Sequence, residues 1–398
     1  MTRRTLNEQP LWQRGETVLG SLDIELTERC DNDCVHCCIC LPEHDKEAQR
    51  REMSTAEIRA VLTEAAALGA LSVRFTGGEP LIRDDFQELY LFARQLGLRV
   101  MLFTNARGVT PEIADLLARV PPLELVEVTV YGMSAASYES ATRRRGSYDE
   151  FRRGIGLLLE RAVPVVVKGA LLPGLAEEIA EFEEWAASLP AMDRPPGYSM
   201  FFDLRNRRDS ERRNETIRRM RLSPADGVRF LTRDRERYAK DMREFCAKFM
   251  RPPGDKLFSC GVGHGACVDA YGMVQPCMSL RHLDAVVSLR VPSGDGEGRG
   301  DPDVFDASRL RYALVDAFPR LCETRAANPD YLRRCARCFL KGLCEQCPAK
   351  SWAENGTLDT PVEYLCEIAH EQARDLGMLE PGERAWEVED WRERVERI

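Results

Sequence analysis

The sequence predicts an α/β protein, a partial (β/α)6 TIM-like barrel followed by a loop-rich, cysteine-rich C-terminal domain. Three observations carry this. Six strand–helix pairs follow one another to about residue 204, the pattern of a parallel sheet with helices outside. Six pairs fall short of the eight that close a barrel, so one side stays open. The alternation then stops, and ten of the 15 cysteines crowd between Cys246 and Cys366.

The elements follow in order. Ser21–Leu26 is a short strand. Ser54–Leu68 is a helix with Ile58, Val61, Leu62, Ala65 and Leu68 on one face, a Ser54/Glu57 capping box and Gly69 as its stop. Leu71–Phe75 is a strand and Asp85–Leu96 a helix stopped by Gly97. Arg99–Phe103 is a strand, followed by a helix that Thr110 and Pro111 open. Leu125–Val130 alternates as a strand, and Ser147–Arg161 is the next helix. Val165–Leu172, the helix Ala176–Ser188 and the strand Tyr198–Leu204 complete the series. Arg205–Arg221 is a charged connector, and Ser293–Asp303 has the composition of a flexible loop. The expected divisions are an N-terminal segment (1–20), the barrel (21–215), a helical bridge (216–258), the cysteine-rich domain (259–370) and a tail (371–398).

Composition narrows the function. Hydrophobic residues make up 44% and charged residues 30%, a globular balance. A net charge of −9 disfavours a general phosphate-backbone binder, so no nucleic-acid partner is expected. The most apolar stretch, Gly154–Ala176, is broken by Glu160, Arg161 and Lys168, and Met1–Gly15 has no apolar signal core. A cytoplasmic protein with no membrane partner is expected. Reduced thiols are the rule there, and 15 is an odd number, so soft-metal sites are preferred to disulfides.

Cys30, Cys34 and Cys37 follow the first strand directly, at the end of the sheet where barrel folds place their chemistry. Three thiolates from one loop suit three irons of a four-iron cluster and leave the fourth iron open. A zinc loop is the competing reading, with Cys38, Cys40 or His36 as fourth ligand. Gly77-Gly78-Glu79-Pro80 follows the second strand. Its glycines allow close backbone approach, and Glu79 offers a carboxylate suited to an ammonium group, although the same run is also an ordinary turn. In the C-terminal half stand Cys260, Cys267, Gly272, Cys277, then Cys335-x2-Cys338-x5-Cys344-x2-Cys347, then Cys366. Two Cys-x2-Cys knuckles match one zinc, but that leaves Cys260, Cys267, Cys277 and Cys366 unexplained.

These motifs together resemble the radical S-adenosylmethionine superfamily, and Thr104-Asn105, Thr129-Val130-Tyr131-Gly132 and Gly146-Ser147-Tyr148 resemble its further elements. The resemblance implies that Cys30, Cys34 and Cys37 hold a [4Fe-4S] cluster, whose open iron the methionine amine and carboxylate of S-adenosyl-L-methionine chelate. It implies that Gly77, Gly78, Glu79 and Pro80 line the cofactor site, with Thr129 near it; Tyr131 stands where the family often has aspartate. One electron then cleaves the sulfonium and yields a 5′-deoxyadenosyl radical that abstracts hydrogen. The C-terminal array resembles the SPASM module, one residue shorter between Cys344 and Cys347. That resemblance implies two auxiliary [4Fe-4S] clusters, on Cys260, Cys267, Cys277 and Cys347 and on Cys335, Cys338, Cys344 and Cys366. Cys38, Cys40, Cys246 and Cys322 remain outside the three sets.

The implied activity is modification of a ribosomally made peptide by hydrogen abstraction followed by oxidative crosslinking or a related change. Oxidation of a small molecule is the rival within the class, and a zinc-stapled binding protein the rival outside it. Met278 stands where sulfatase maturases carry an aspartate base, which speaks against that activity. Only 29 residues precede Cys30, too few for a winged-helix recognition domain, so a separate leader-recognition protein or direct docking is expected. An electron donor such as flavodoxin or ferredoxin is the other expected partner.

Overall fold

The computed structural model describes residues 19–250, 252–258, 260, 265–291, 304–344 and 347–396. The expected loop 293–303 and nearly all of the N-terminal segment lie outside them. Contacts divide the chain into two compact units. One comprises Met1–Ser199, Gly261–Met278 and Leu283–Pro319; the other comprises Met200–Cys260, Ser279–His282 and Arg320–Ile398. The residues expected to form one cysteine-rich domain are therefore shared between the two.

The first unit is built on one sheet. Its strands are β1 (Ser21–Thr27), β2 (Ser72–Gly77), β3 (Arg99–Thr104), β4 (Leu123–Val130), β5 (Val165–Ala170) and β6 (Gly197–Ser199), each parallel to its neighbour and in chain order. This is the expected run of six parallel strands. The last is shorter than Tyr198–Leu204. The helices between them start and stop where their caps dictate. In α1 (Thr55–Ala67), Ser54 Oγ accepts from the Glu57 amide while Glu57 accepts from the Ser54 amide at 2.7 Å. Thr110 caps α3 (Pro111–Arg119), which follows α2 (Phe86–Gln95). Gly69 and Gly97 take φ of 99° and 80° and end α1 and α2.

Period-two alternation sorts each strand into two faces. Leu22, Ile24, Leu26, Val73, Phe75, Val100, Leu102, Val126 and Val128 are buried in the apolar core. The opposite face carries Asp23, Glu25, Arg74, Phe103, Glu127 and Lys168. Arg74 pairs with Asp23 at 3.0 Å and Lys168 with Glu127 at 2.5 Å.

The sheet does not end at β1. A strand from far along the chain, β7 (Gly265–Val268), lies parallel to β1 and pairs Asp23 with Cys267. The antiparallel strands β8 (Met273–Gln275) and β9 (Val287–Ser288) extend it to nine strands among the described residues. These additions were not predicted: two to four residues are too few to show a period.

The second unit is mainly helical. Its elements include α4 (Arg235–Phe249), α5 (Pro348–Asn355) and α6 (Glu363–Asp375). Cys246 is buried in its core with Tyr238, Met242, Phe339 and Met378, as a small hydrophobe. No helix among the described residues is long and apolar enough to cross a membrane.

Candidate active site

The chain leaving β1 is closed into a loop before it presents any chemistry. Arg29 and Cys30 pair in parallel with Leu41 and Pro42, and the Leu41 amide donates to the Glu28 carbonyl at 2.7 Å. Inside this base, Arg29 Nε donates to Glu52 Oε1 at 2.8 Å and Arg29 Nη1 to the Glu43 carbonyl at 3.0 Å. A second clamp comes from the helix Ala135–Thr142. The amides of Asp33 and Val35 donate to the carbonyls of Thr142 and Ala141 at 2.9 and 3.0 Å. Arg107 Nη1 reaches the Asp31 carbonyl and Asn32 Oδ1, both at 2.7 Å.

Cys30 and Cys34 are buried within that loop and Cys37 is half-buried. The Asn32 amide points at Cys30 Sγ at 3.4 Å, and the Cys40 amide at Cys37 Sγ at 3.3 Å. Burial pushes the Cys30 and Cys34 thiols well up, and Asp31 adds to both, while a Tyr131 hydrogen bond pulls Cys34 the other way. Two buried thiols that resist ionisation, Cys30 and Cys34, and amide donors aimed at Cys30 and Cys37 suit a cationic metal centre, which would supply the missing positive charge. His36 packs on Tyr131 with ring centroids 5.6 Å apart, and burial pushes it down to about 4.

The Gly77–Pro80 segment is fused to this loop. The Gly78 amide donates to the Thr27 carbonyl at 2.6 Å and the Glu79 amide to the Arg29 carbonyl at 2.9 Å. A Cβ on Gly77 would lie 2.1 Å from the Thr27 carbonyl oxygen, and one on Gly78 2.1 Å from that of Arg29. The glycines are thus required by close approach to the β1 extension. Glu79 is fully buried. It accepts from Thr104 Oγ1 at 2.7 Å, the Asn105 amide at 2.8 Å and the Leu81 amide at 3.1 Å. Burial, reinforced by Asp31, pushes its carboxyl up to about 8. Thr129 is half-buried, in register with Lys168 on the polar face.

Asn105, which the sequence singles out only as part of the Thr104-Asn105 pair, also lies at this site. Its Nδ2 donates to Asp31 Oδ1 at 2.6 Å and approaches Cys30 Sγ at 3.9 Å. Its position was the available signal: it follows β3 directly, as Cys30 follows β1 and Glu79 follows β2.

A family model for the radical SAM superfamily matches residues 24–187. The chain carries a radical SAM domain. That domain's family binds S-adenosylmethionine and a [4Fe-4S] cluster. Among curated relatives, the AdoMet-dependent heme synthase of Methanosarcina barkeri is 26% identical over 83% of this chain and 92% of that protein. The PqqA peptide cyclase of Xanthomonas euvesicatoria is 34% identical over 42% of this chain, and the match spans 45% of the cyclase. Two solved structures share the fold. Streptococcus suis SuiB bound to S-adenosylmethionine has a TM-score of 0.57 at 14% identity, over 89% of this chain and 77% of that one. The anSMEcpe enzyme with bound AdoMet has a TM-score of 0.57 at 15% identity, over 89% and 96%.

Outside the radical SAM domain, Cys335, Cys338, Cys344 and Cys366 line one small cavity in the second unit, with Arg334, Lys341, His370 and Trp386. Arg334 Nη2 donates to Cys366 Sγ at 3.6 Å and is held by Glu363. Cys260 and Cys347 belong to this second unit; Cys267 and Cys277 belong to the first. Cys267 is buried on the Asp23 rung, and Cys277 is exposed. Among the described residues no three His, Cys, Asp or Glu side chains converge on a single ion.

Proposed function

We propose that the chain is a radical SAM enzyme that modifies a ribosomally synthesised peptide. The observation that carries the reading is the pre-closed loop of Cys30, Cys34 and Cys37 fused to the Gly77–Pro80 turn at adjacent strand ends. Bound there, the cluster and S-adenosylmethionine supply one-electron cleavage of a sulfonium and hence a carbon radical that takes a hydrogen atom. The chain's own residues orient and shield. Glu79 meets the cofactor's ammonium, Gly77 and Gly78 bring the β2 end against the cysteine loop, and Thr129 borders the cofactor. Asn105 fixes Asp31 beside Cys30.

Two auxiliary [4Fe-4S] clusters complete the assignment, one of them on Cys335, Cys338, Cys344 and Cys366. Four cysteines around one cavity support that set, since a four-iron cube spreads its thiolates wider than zinc with bonds of about 2.3 Å. Relatives named peptide cyclase and a fold shared with SuiB bound to its precursor peptide SuiA support the peptide substrate. A low-potential electron donor, and either a separate leader-recognition protein or direct docking of the leader, complete the cytoplasmic system.

A second reading, oxidation of a small molecule, is favoured by one observation: the heme synthase matches along nearly its whole length, the cyclase along less than half. Anaerobic incubation with dithionite tests the shared chemistry, which predicts slow 5′-deoxyadenosine release without substrate. Its absence from protein with full iron would refute both readings. Mass spectrometry of co-expressed precursor peptides against tetrapyrrole substrates then separates them.

A further inference from the structure

The turn that clamps the cysteine loop also carries three consecutive arginines. Arg143, Arg144 and Arg145 join the helices Ala135–Thr142 and Ser147–Glu160, and all three are exposed. Arg143 is committed: its Nε donates to the Asp33 carbonyl at 2.7 Å and its guanidinium pairs with Asp33 at 2.8 Å. Arg144 and Arg145 have no ion pair or side-chain hydrogen bond among the described residues. Two of the acids next to the turn in sequence are engaged elsewhere. Glu150 pairs with Arg107, and Glu139 accepts from the Gly146 amide at 2.7 Å; Asp149 alone stays uncommitted beside them. A Thr142–Ser147 hydroxyl contact of 2.8 Å bridges the turn, and Gly146 takes φ 82°.

We infer that Arg144 and Arg145 form the docking point for a small acidic one-electron carrier protein of the flavodoxin class. The inference rests on the radical SAM reading, which requires an electron to reach a buried centre. Ala141 and Thr142, just before the turn, accept hydrogen bonds from Val35 and Asp33, the two neighbours of Cys34, so the turn adjoins the clamp on the cysteine loop. The chain carries a net charge of −9, so its overall charge does not draw an acidic carrier and a local cationic point is needed. Two exposed cations without an ion-pair partner at one place both attract and orient it. The step is a single electron transfer: the carrier's hydroquinone becomes its semiquinone, and the centre gains one electron.

The test uses reconstituted full-length protein and purified flavodoxin. Affinity for oxidised flavodoxin is measured by biolayer interferometry at low and high salt, and centre reduction by flavodoxin hydroquinone is followed by absorbance bleaching. Arg144→Glu/Arg145→Glu should weaken binding and slow bleaching about tenfold or more, and remove the salt dependence. Dithionite-driven cleavage should stay at the wild-type rate. Arg218→Glu/Arg219→Glu, the same charge change on the helix Glu211–Met220, should leave binding near wild type. Unchanged flavodoxin binding in the first variant overturns the inference, as does an equal loss in the second. A loss confined to precursor-peptide binding overturns it as well and assigns the turn to substrate. If wild type fails to cleave with dithionite, the radical SAM reading falls, while the binding arm still decides the surface.

Discussion

Glu79 is the residue whose behaviour is most sharply constrained. It is a fully buried carboxylate with three hydrogen-bond donors and no cation, so burial outweighs the donors and raises its proton affinity. The sign follows directly. The unfolded group ionises near 4.5 and the folded group near 8, so the folded protein holds the extra proton. Glu79 therefore favours folding below about 4.5, and that contribution is lost as pH rises towards 8. In cofactor-free protein, Glu79→Gln should flatten this part of the urea-unfolding profile while keeping the acceptor oxygen. The proposed ammonium contact reverses the burden. Affinity for S-adenosylmethionine, followed by calorimetry between pH 6 and 9, should rise with pH in wild type and lose that dependence in Glu79→Gln. First-cluster iron should survive the substitution, because Glu79 is no ligand; loss of iron would make its role structural.

Two element-scale joints hold the candidate site, and each predicts a measurable cost. At Gly78 a methyl group collides with backbone, and the Arg29 carbonyl is tied into the Glu79 amide. Gly78→Ala should cost about 1–3 kcal/mol in denaturant unfolding, as overpacking does. At the loop base, Glu52 is a buried acceptor for Arg29, with Thr27 and Arg83 beside it. Glu52→Ala leaves the buried Arg29 guanidinium without its anion, while Arg83 keeps Asp85, and about 3–5 kcal/mol is expected. Neither joint is legible in the sequence. Ile58, Val61 and Leu62 announce a helix because apolar spacing is local, and Cys30, Cys34 and Cys37 announce a site because chemistry and spacing coincide. Glu52 looks like any surface glutamate until Arg29 and Arg83 are folded onto it. Gly77 and Gly78 allow close backbone approach, and the approach seen among the described residues is to Thr27 and Arg29. The strands β7 to β9 are hidden for a third reason: each is too short to have a pattern, and β1, the partner of β7, is remote in sequence.

For the whole molecule, the proposed set of three four-iron clusters predicts about twelve irons after anaerobic reconstitution. Replacing Cys30, Cys34 and Cys37 with Ala, or separately Cys335, Cys338, Cys344 and Cys366, should each leave about eight by colorimetric iron and sulfide analysis. Zinc in place of iron in the second set would defeat that half of the assignment. The place of β7 in the sheet bears on how the protein is made. β1 pairs Ser72 on one edge and Gly265 on the other, so the strand that launches the cysteine loop leaves the ribosome long before its second neighbour exists. Until then its edge offers unpaired amides and carbonyls to any passing strand. A chain cut after Phe249 should therefore aggregate on expression, and supplying residues 250–398 as a separate polypeptide during synthesis should rescue part of it. In the cell, translation pausing and chaperone supply would govern the yield of this protein as strongly as iron does.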